Sequence, residues 1–178
     1  MYADNTLTPK EAARLCALGT LASADMSYGE LASAIRHFMD RVQGPSLDVL
    51  GSSLELLKYE GLVETRDGIG DGAVLAITET GRQELETLLT ADVRPGATDL
   101  NKLIVALKFR FMHLLSAGQQ HEQADILMET AETELLRLTD LRGHHAGDVG
   151  HLCDWLDHEI AELNARIHWL EAFKGRFA

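Results

Sequence analysis

The sequence is poor in the residues that define several whole classes of protein. Its 2 cysteines, Cys16 and Cys153, lie far apart and outside any CxxC pair. Neither a disulfide framework nor a zinc ribbon is written here, and the usage suits a reduced cytoplasm. Proline is scarce, with 3 in 178 residues, and 15 glycines follow no period, which excludes collagen-like and low-complexity chains. No apolar run is long enough to span a bilayer: Leu100–Leu115 is the most apolar window, and Lys102, Lys108 and Arg110 interrupt it. Met1 to Leu15 has no basic segment leading into an apolar one, so no secretory leader is expected. These absences predict a cytoplasmic protein with no membrane partner. Positive charge is also short: 16 Lys and Arg stand against 28 Asp and Glu, a net charge of −12. Phosphate binding normally wants a surplus of Lys and Arg, so the total by itself argues against a nucleic-acid binder.

What is present is a globular, mainly helical pattern. Apolar residues make up 46% of the chain, enough to bury a core without disulfides or metals. Thr8 caps a first helix with Pro9 in its opening turn, and Ala12, Leu15, Cys16, Leu18 and Leu21 form its apolar stripe. Ser27, with Glu30 three residues on, reads as a capping box for a second helix through Leu31, Ala34, Ile35 and Phe38. After the break at Gly44-Pro45, Ser46 caps a third, with Leu47, Leu50, Leu54 and Leu57 on one face and Gly61 as its C-terminal cap. Leu62–Arg66 and Ala73–Ile77 are strand-like and flank the loop Asp67-Gly68-Ile69-Gly70-Asp71-Gly72, which predicts a hairpin. Thr78 caps a fourth helix through Leu89, and Arg94-Pro95-Gly96 is the clearest linker.

Beyond the linker the pattern is helical over 98–117, 119–141 and 147–174, with breaks at Gly118 and at Arg142-Gly143-His144-His145. In the last helix Val149, Cys153, Leu156, Ile160, Leu163, Ile167 and Leu170 recur at alternating steps of four and three, the seam of knobs-into-holes packing. Either a partner helix of the same chain or a second copy satisfies such a seam. A long terminal helix on a short domain favours the second copy.

Three helices, a hairpin and a fourth helix form the order of a winged helix-turn-helix, in which the third helix enters the major groove and the wing lies beside it. Two local elements make the match specific. Leu54-x-x-Leu57-x-x-x-Gly61-Leu62-Val63 leaves the third helix and enters the sheet, and Thr78-Glu79-Thr80-Gly81-Arg82-x-x-Leu85 opens the fourth helix. Together they resemble the winged-helix regulators of the PadR family, with more distant similarity to the MarR type. Ile167-His168-Trp169-Leu170-Glu171 resembles the Trp-Leu-Glu segment that closes the last helix of that family. The resemblance runs from Leu7 to Phe173. It implies a mainly α fold: an N-terminal winged helix-turn-helix DNA-binding domain, residues 1–92, and a C-terminal helical dimerisation domain, residues 97–178. It implies a homodimeric regulator, expected to repress, that binds double-stranded operator DNA and responds to a small-molecule effector.

The chain departs from the family at the DNA-facing positions. Where the family has a tyrosine in a Tyr-Pro-x-Leu motif, this sequence reads Gly51-Ser52-Ser53-Leu54, and the wing segment Ala73-Val74-Leu75-Ala76 is uncharged where the family carries basic residues and tyrosine. The expected DNA-facing set is therefore Tyr28, Arg36, Ser46, Ser52, Ser53, Lys58 and Arg66, with Arg66 the best phosphate ligand and Arg41 an addition. Residues 1–91 hold 7 Lys and Arg against 14 Asp and Glu, a net of −7, so the acid excess is not confined to the dimerisation part. That keeps a second reading open: a winged-helix protein–protein adaptor that has lost DNA binding.

Other signals are weaker. Gly68-x-Gly70-x-Gly72 is followed by strand-like residues rather than the helix N-terminus a phosphate loop needs. His144, His145, His151, Cys153, Asp154 and His158 are dense in ligand-type side chains, and His151, Asp154 and His158 share one helical face. A polar, His-rich helix end explains them as well, and no metal or cofactor is expected. No nucleophile–base pair stands out, so no enzyme is expected. Leu103, Leu107, Phe111, Trp155 and Trp169 could line an effector cavity, although such residues are more often core.

Overall fold

The computed structural model describes residues 5–43, 50–68, 72–96 and 98–177. The expected break at Gly44-Pro45, the cap at Ser46 and the loop centre at 69–71 lie outside the described residues. The elements are α1 (Pro9–Ser23), β1 (Met26–Ser27), α2 (Tyr28–Gln43), α3 (Leu50–Tyr59), β2 (Val63–Asp67), β3 (Val74–Ile77), α4 (Glu79–Thr90), α5 (Asp99–Phe111), α6 (Ala117–His144) and α7 (Leu152–Lys174). A single 3-10 turn, Met112–Leu114, follows α5.

The caps read from sequence form. The Thr8 hydroxyl accepts from the Glu11 N–H at 3.3 Å while the Glu11 carboxylate accepts from the Thr8 N–H at 2.7 Å. These bonds hold the Glu11 carboxyl below its ordinary range. Ser27 and Glu30 make the same reciprocal pair at 3.3 and 2.8 Å, and the two donors that it satisfies would otherwise be orphaned at the start of α2. Ser27 has a second role that the capping reading alone does not show. With Met26 it forms β1, which pairs antiparallel with β3, so the wing is a three-stranded sheet in the order β1-β3-β2.

The chain divides into two compact units, Met1–Asp92 with Thr98–Leu115 and Val93–Ala97 with Ser116–Ala178. The Arg94-Pro95-Gly96 linker separates α4 from α5 in sequence, yet α5 returns to pack in the first unit. The core there is built from Leu15, Leu18 and Leu21 of α1, Leu31 and Ile35 of α2, Leu57 of α3, Leu89 of α4 and Leu103, Ile104, Leu107 and Phe111 of α5, all fully buried. Leu103, Leu107 and Phe111 thus belong to this core. α1 and α5 approach so closely that a Cβ on Gly19 would sit 2.6 Å from the Phe111 ring. Arg110 lies over the rings of Phe38 and Phe111, 4.5 and 4.7 Å from their centroids.

Lys108 is completely buried in this unit. Its ammonium donates to the carbonyls of Leu89 and Ala91, at 2.7 and 2.6 Å, at the C-terminal end of α4. A cation there meets the negative end of the helix dipole. Burial nevertheless pushes its pKa down to about 8, with the nearby Asp92 charge opposing that shift.

The second unit is an α6–α7 helix pair. Ser116 and Gln119 form a capping box for α6, so the expected break at Gly118 is instead the first turn of a helix. α6 also continues past Arg142-Gly143 to His144, where the side chain of Arg142 bridges bidentately to Asp157 of α7, at 2.8 and 3.2 Å. Among the described residues, no helix is long and apolar enough to cross a membrane.

Candidate nucleic-acid interface

α3 is held from behind by local chemistry. Leu54 and Leu57 turn into the core. Gly61, at φ +72°, ends the helix in a Schellman turn: the Leu62 N–H donates to the Leu57 carbonyl at 2.9 Å and the Gly61 N–H to the Lys58 carbonyl at 3.1 Å. β2 begins at the next residue. The Thr78 hydroxyl donates to the Gly61 carbonyl at 2.8 Å and accepts from the Gly81 N–H at 3.0 Å. The Thr78 N–H donates to the Leu62 carbonyl at 3.1 Å. A Cβ on Gly81 would lie 2.1 Å from that same carbonyl oxygen, so only glycine allows α4 to start here. The two sequence elements that carry the family resemblance therefore meet as one joint. Arg14 of α1 adds an ion bridge, reaching Glu60 beyond the end of α3 at 2.8 Å and Glu84 of α4 at 2.9 Å.

This bracing decides which side chains of α3 face outward. At about 100° per residue, the position opposite Leu54 and Leu57 is that of Tyr59, with Leu56 and the exposed Glu55 equally far to either side of it. Tyr59 is 90% exposed and Leu56 45%. Lys58 is exposed but lies on the flank nearer the core. Ser52 and Ser53 fall on α3, and their side chains, like Ser46 as a whole, lie outside the described residues. Tyr59 is the residue sequence reasoning missed. The signal was available, since fixing Leu54 and Leu57 inward puts Tyr59 outward.

The expected basic residues come from three elements, Arg36 and Arg41 from α2, Lys58 from α3 and Arg66 from β2. Arg36 and Arg41 are both exposed on α2, but their five-residue separation turns them about 140° apart around the helix. Tyr28, the first residue of α2, is half-buried. Arg66 sits at the register shift of β2 against β3, between Thr65 and Asp67. A bulge of this kind re-aims a side chain, and here Arg66 donates to the Asp25 carboxylate at 2.7 Å. Glu64 and Asp67 are exposed on the same strand.

A scan against family models matches residues 2–174 to the family described as "Putative AphA-like transcriptional regulator". The chain belongs to the AphA-like family of transcriptional regulators. A search of curated proteins returns no match. Among solved structures, the chain is similar to Bacillus subtilis PadR (16% identity, 97% of this chain and 98% of that one, TM-score 0.42). It is similar to the same PadR in complex with operator DNA (16% identity, 93% and 98%, TM-score 0.40). It is also similar to the PadR-like transcriptional regulator BC1756 from Bacillus cereus (17% identity, 93% and 95%, TM-score 0.41). The family is one of transcriptional regulators, and this AphA-like chain has the mainly α architecture with a small wing that its motifs predicted.

The α7 seam has two sides. Leu156, Leu163 and Leu170 are buried against α6 of the same chain. Cys153, Ile160 and Ile167 are half-buried, and Val149 is fully exposed in the turn before α7. A heptad seam specifies a helix partner without naming it, and at three positions the partner is α6. Other apolar groups stay outward: Trp155 at 52%, Trp169 at 47% and Leu136 of α6 at 72% exposure. Trp169 stacks on Phe173 with centroids 5.3 Å apart.

The His-rich region resolves into local pairs. His145 meets Asp148 at 2.6 Å, His151 meets Asp154 at 3.1 Å and His158 meets Glu162 at 3.4 Å. Cys153 donates to the His145 carbonyl at 3.2 Å. Among the described residues, the one ligand-type grouping is His158, Glu159 and Glu162, on the solvent side of α7. His151, Asp154 and His158 do not converge.

Proposed function

We propose that this AphA-like regulator is a homodimer whose winged units bind operator DNA in a sequence-specific way and repress transcription by occluding the promoter. The observation that carries the reading is the bracing of α3. Leu54, Leu57, the Gly61–Thr78 joint and the Arg14 bridge immobilise its inner side, and they leave an outward face centred on Tyr59, with Leu56 and Glu55 on its flanks, beside a three-stranded wing. That is the arrangement a major-groove helix needs. Leu56 suits apolar contact with a thymine methyl, and the Tyr59 hydroxyl suits a phosphate or base edge. Tyr28, Arg36, Ser46, Ser52, Ser53, Lys58 and Arg66 complete the proposed contact set.

The unclosed apolar groups of α7 support a second copy as the dimer partner. Trp155 and Trp169, 14 residues apart and so about 40° apart around α7, are the exposed residues it would cover, with Val149 near the turn. A two-fold axis then sets the two α3 helices against two half-sites. Effector response, which the family resemblance implies, is read by the half-exposed Trp155 and Trp169: their fluorescence shifts on adding small aromatic or cationic ligands if an effector acts on this unit.

The adaptor reading draws on the acidic surroundings, where Glu55, Glu60, Glu64 and Asp67 are exposed around α3 and the wing. A mobility shift at low salt, using the upstream region of the protein's own gene, separates the two. The regulator shifts that duplex ahead of a scrambled one, with a dimeric mass by sedimentation. A folded dimer that shifts neither duplex is an adaptor, and a monomeric mass removes the second-copy reading.

A further inference from the structure

Arg66 is both the wing's best phosphate ligand and the partner of an acid, and the second fact changes the first. Asp25 comes from the turn between α1 and β1, and Arg66 from the bulge of β2; the two residues are far apart in sequence and flank β3 from opposite sides. The bulge turns the guanidinium toward that carboxylate rather than straight out to solvent. The Arg66 side chain is 62% exposed and that of Asp25 is 34% exposed, so a phosphate can reach the outer edge of the guanidinium. A guanidinium has five donors in a planar fork, and a carboxylate oxygen and a phosphate oxygen compete for the same edges.

We infer that Asp25 is an internal competitor for the phosphate that Arg66 binds, and that it sets the strength of wing engagement with DNA. The inference rests on the DNA-binding reading above. In the free protein Asp25 neutralises the only basic residue of β2, leaving Glu64 and Asp67 as the net charge of that strand. On binding, phosphate and carboxylate share one guanidinium, so the phosphate meets an Arg66 already partly neutralised through Nη1, and the Asp25 carboxylate beside it repels the duplex. Both effects lower affinity. A neutral residue at position 25 leaves Arg66 in place and removes the competitor.

The test is a fluorescence-anisotropy titration of the full-length protein against two labelled duplexes at low salt, one carrying the upstream region of its own gene and one scrambled. The proteins are wild type, D25N, D25E, R66Q and D25N/R66Q, each checked for native circular dichroism. An exposed ion pair is worth about 0.2–1 kcal/mol, so D25N tightens binding to both duplexes by about two- to fivefold. D25E keeps the charge and binds like wild type. R66Q weakens binding and lowers the salt slope by about one. In the R66Q background D25N recovers less than half of its effect on the logarithm of affinity, because the pair that it disrupts is already gone. Equal effects of D25N in both backgrounds would reduce Asp25 to one more surface charge and overturn the inference. So would wild-type binding that D25N leaves unchanged. If neither wild type nor any variant binds either duplex, the DNA-binding reading itself fails, and the competitor role fails with it.

Discussion

The Thr78 hydroxyl donates to the carbonyl of Gly61, 2.8 Å away and 17 residues back in the chain. One side chain thereby caps α4 and pins the turn that ends α3. The outward angle of α3 depends on this joint. Replacing Thr78 with valine keeps the shape and removes both hydrogen bonds, at a cost of about 1–2 kcal/mol. T78S keeps the hydroxyl and most of the stability. Urea denaturation distinguishes the two variants, and equal midpoints would show that the hydroxyl contributes nothing.

Two glycines have opposite expectations. At Gly81 an added methyl meets the Leu62 carbonyl oxygen at 2.1 Å, whereas at Gly29 nothing lies within 4 Å. G81A must push α4 off β2 and loses more than about 2 kcal/mol. G29A sits in the first turn of α2 and is neutral or gains up to about 1 kcal/mol from helix propensity. Thermal melts of both variants check the sign.

Lys108 gives the protein an alkaline signature. Its folded pKa, about 8, lies below the ordinary 10.5. Between those values the unfolded chain still holds a proton that the folded chain has released, so stability rises with pH across that window. Below about pH 8 both states are charged and the cost of burying the ammonium is fully present. The neutral amine keeps two N–H donors, enough for the Leu89 and Ala91 carbonyls. Wild type should gain about 2 kcal/mol relative to K108M between pH 7 and pH 10, measured by guanidinium denaturation. A constant gap between the two proteins over that range would show that Lys108 does not titrate there.

Tyr59 separates binding from folding. At 90% exposure its ring supports no core, so Y59A should change stability by less than about 0.5 kcal/mol. Lost contact at a DNA interface costs about 1–3 kcal/mol, and operator affinity should fall at least fivefold. Y59A that binds like wild type would place the recognition surface elsewhere.

How much of this was legible in the sequence depended on distance along the chain. The Ser27–Glu30 box, the Gly61 cap and the Thr78–Gly81 element could be read because each is settled within a few residues. β1 could not: it is two residues long and exists only because Met26 and Ser27 find Leu75 and Val74. The allegiance of α5 was hidden because an apolar stripe does not name its partner; the Gly19–Phe111 approach, the Lys108 bonds to Leu89 and Ala91 and Arg110 over Phe38 place it in the first unit. The α7 seam was visible at Leu156, Leu163 and Leu170, but α6 as their partner was not, since heptads carry no address. Arg66 could be placed on the wing from sequence. Its engagement with Asp25 needed the bulge and the sheet order, neither of which leaves a local pattern.

On the proposed reading, two braced α3 helices of one dimer read two half-sites. Hydroxyl-radical footprinting of the upstream region at low salt tests it most directly. Two protected patches related by a dyad, about one helical turn or a multiple of it apart, are expected, with both lost in Y59A. A folded, dimeric protein that protects no part of that DNA under the same conditions would contradict it.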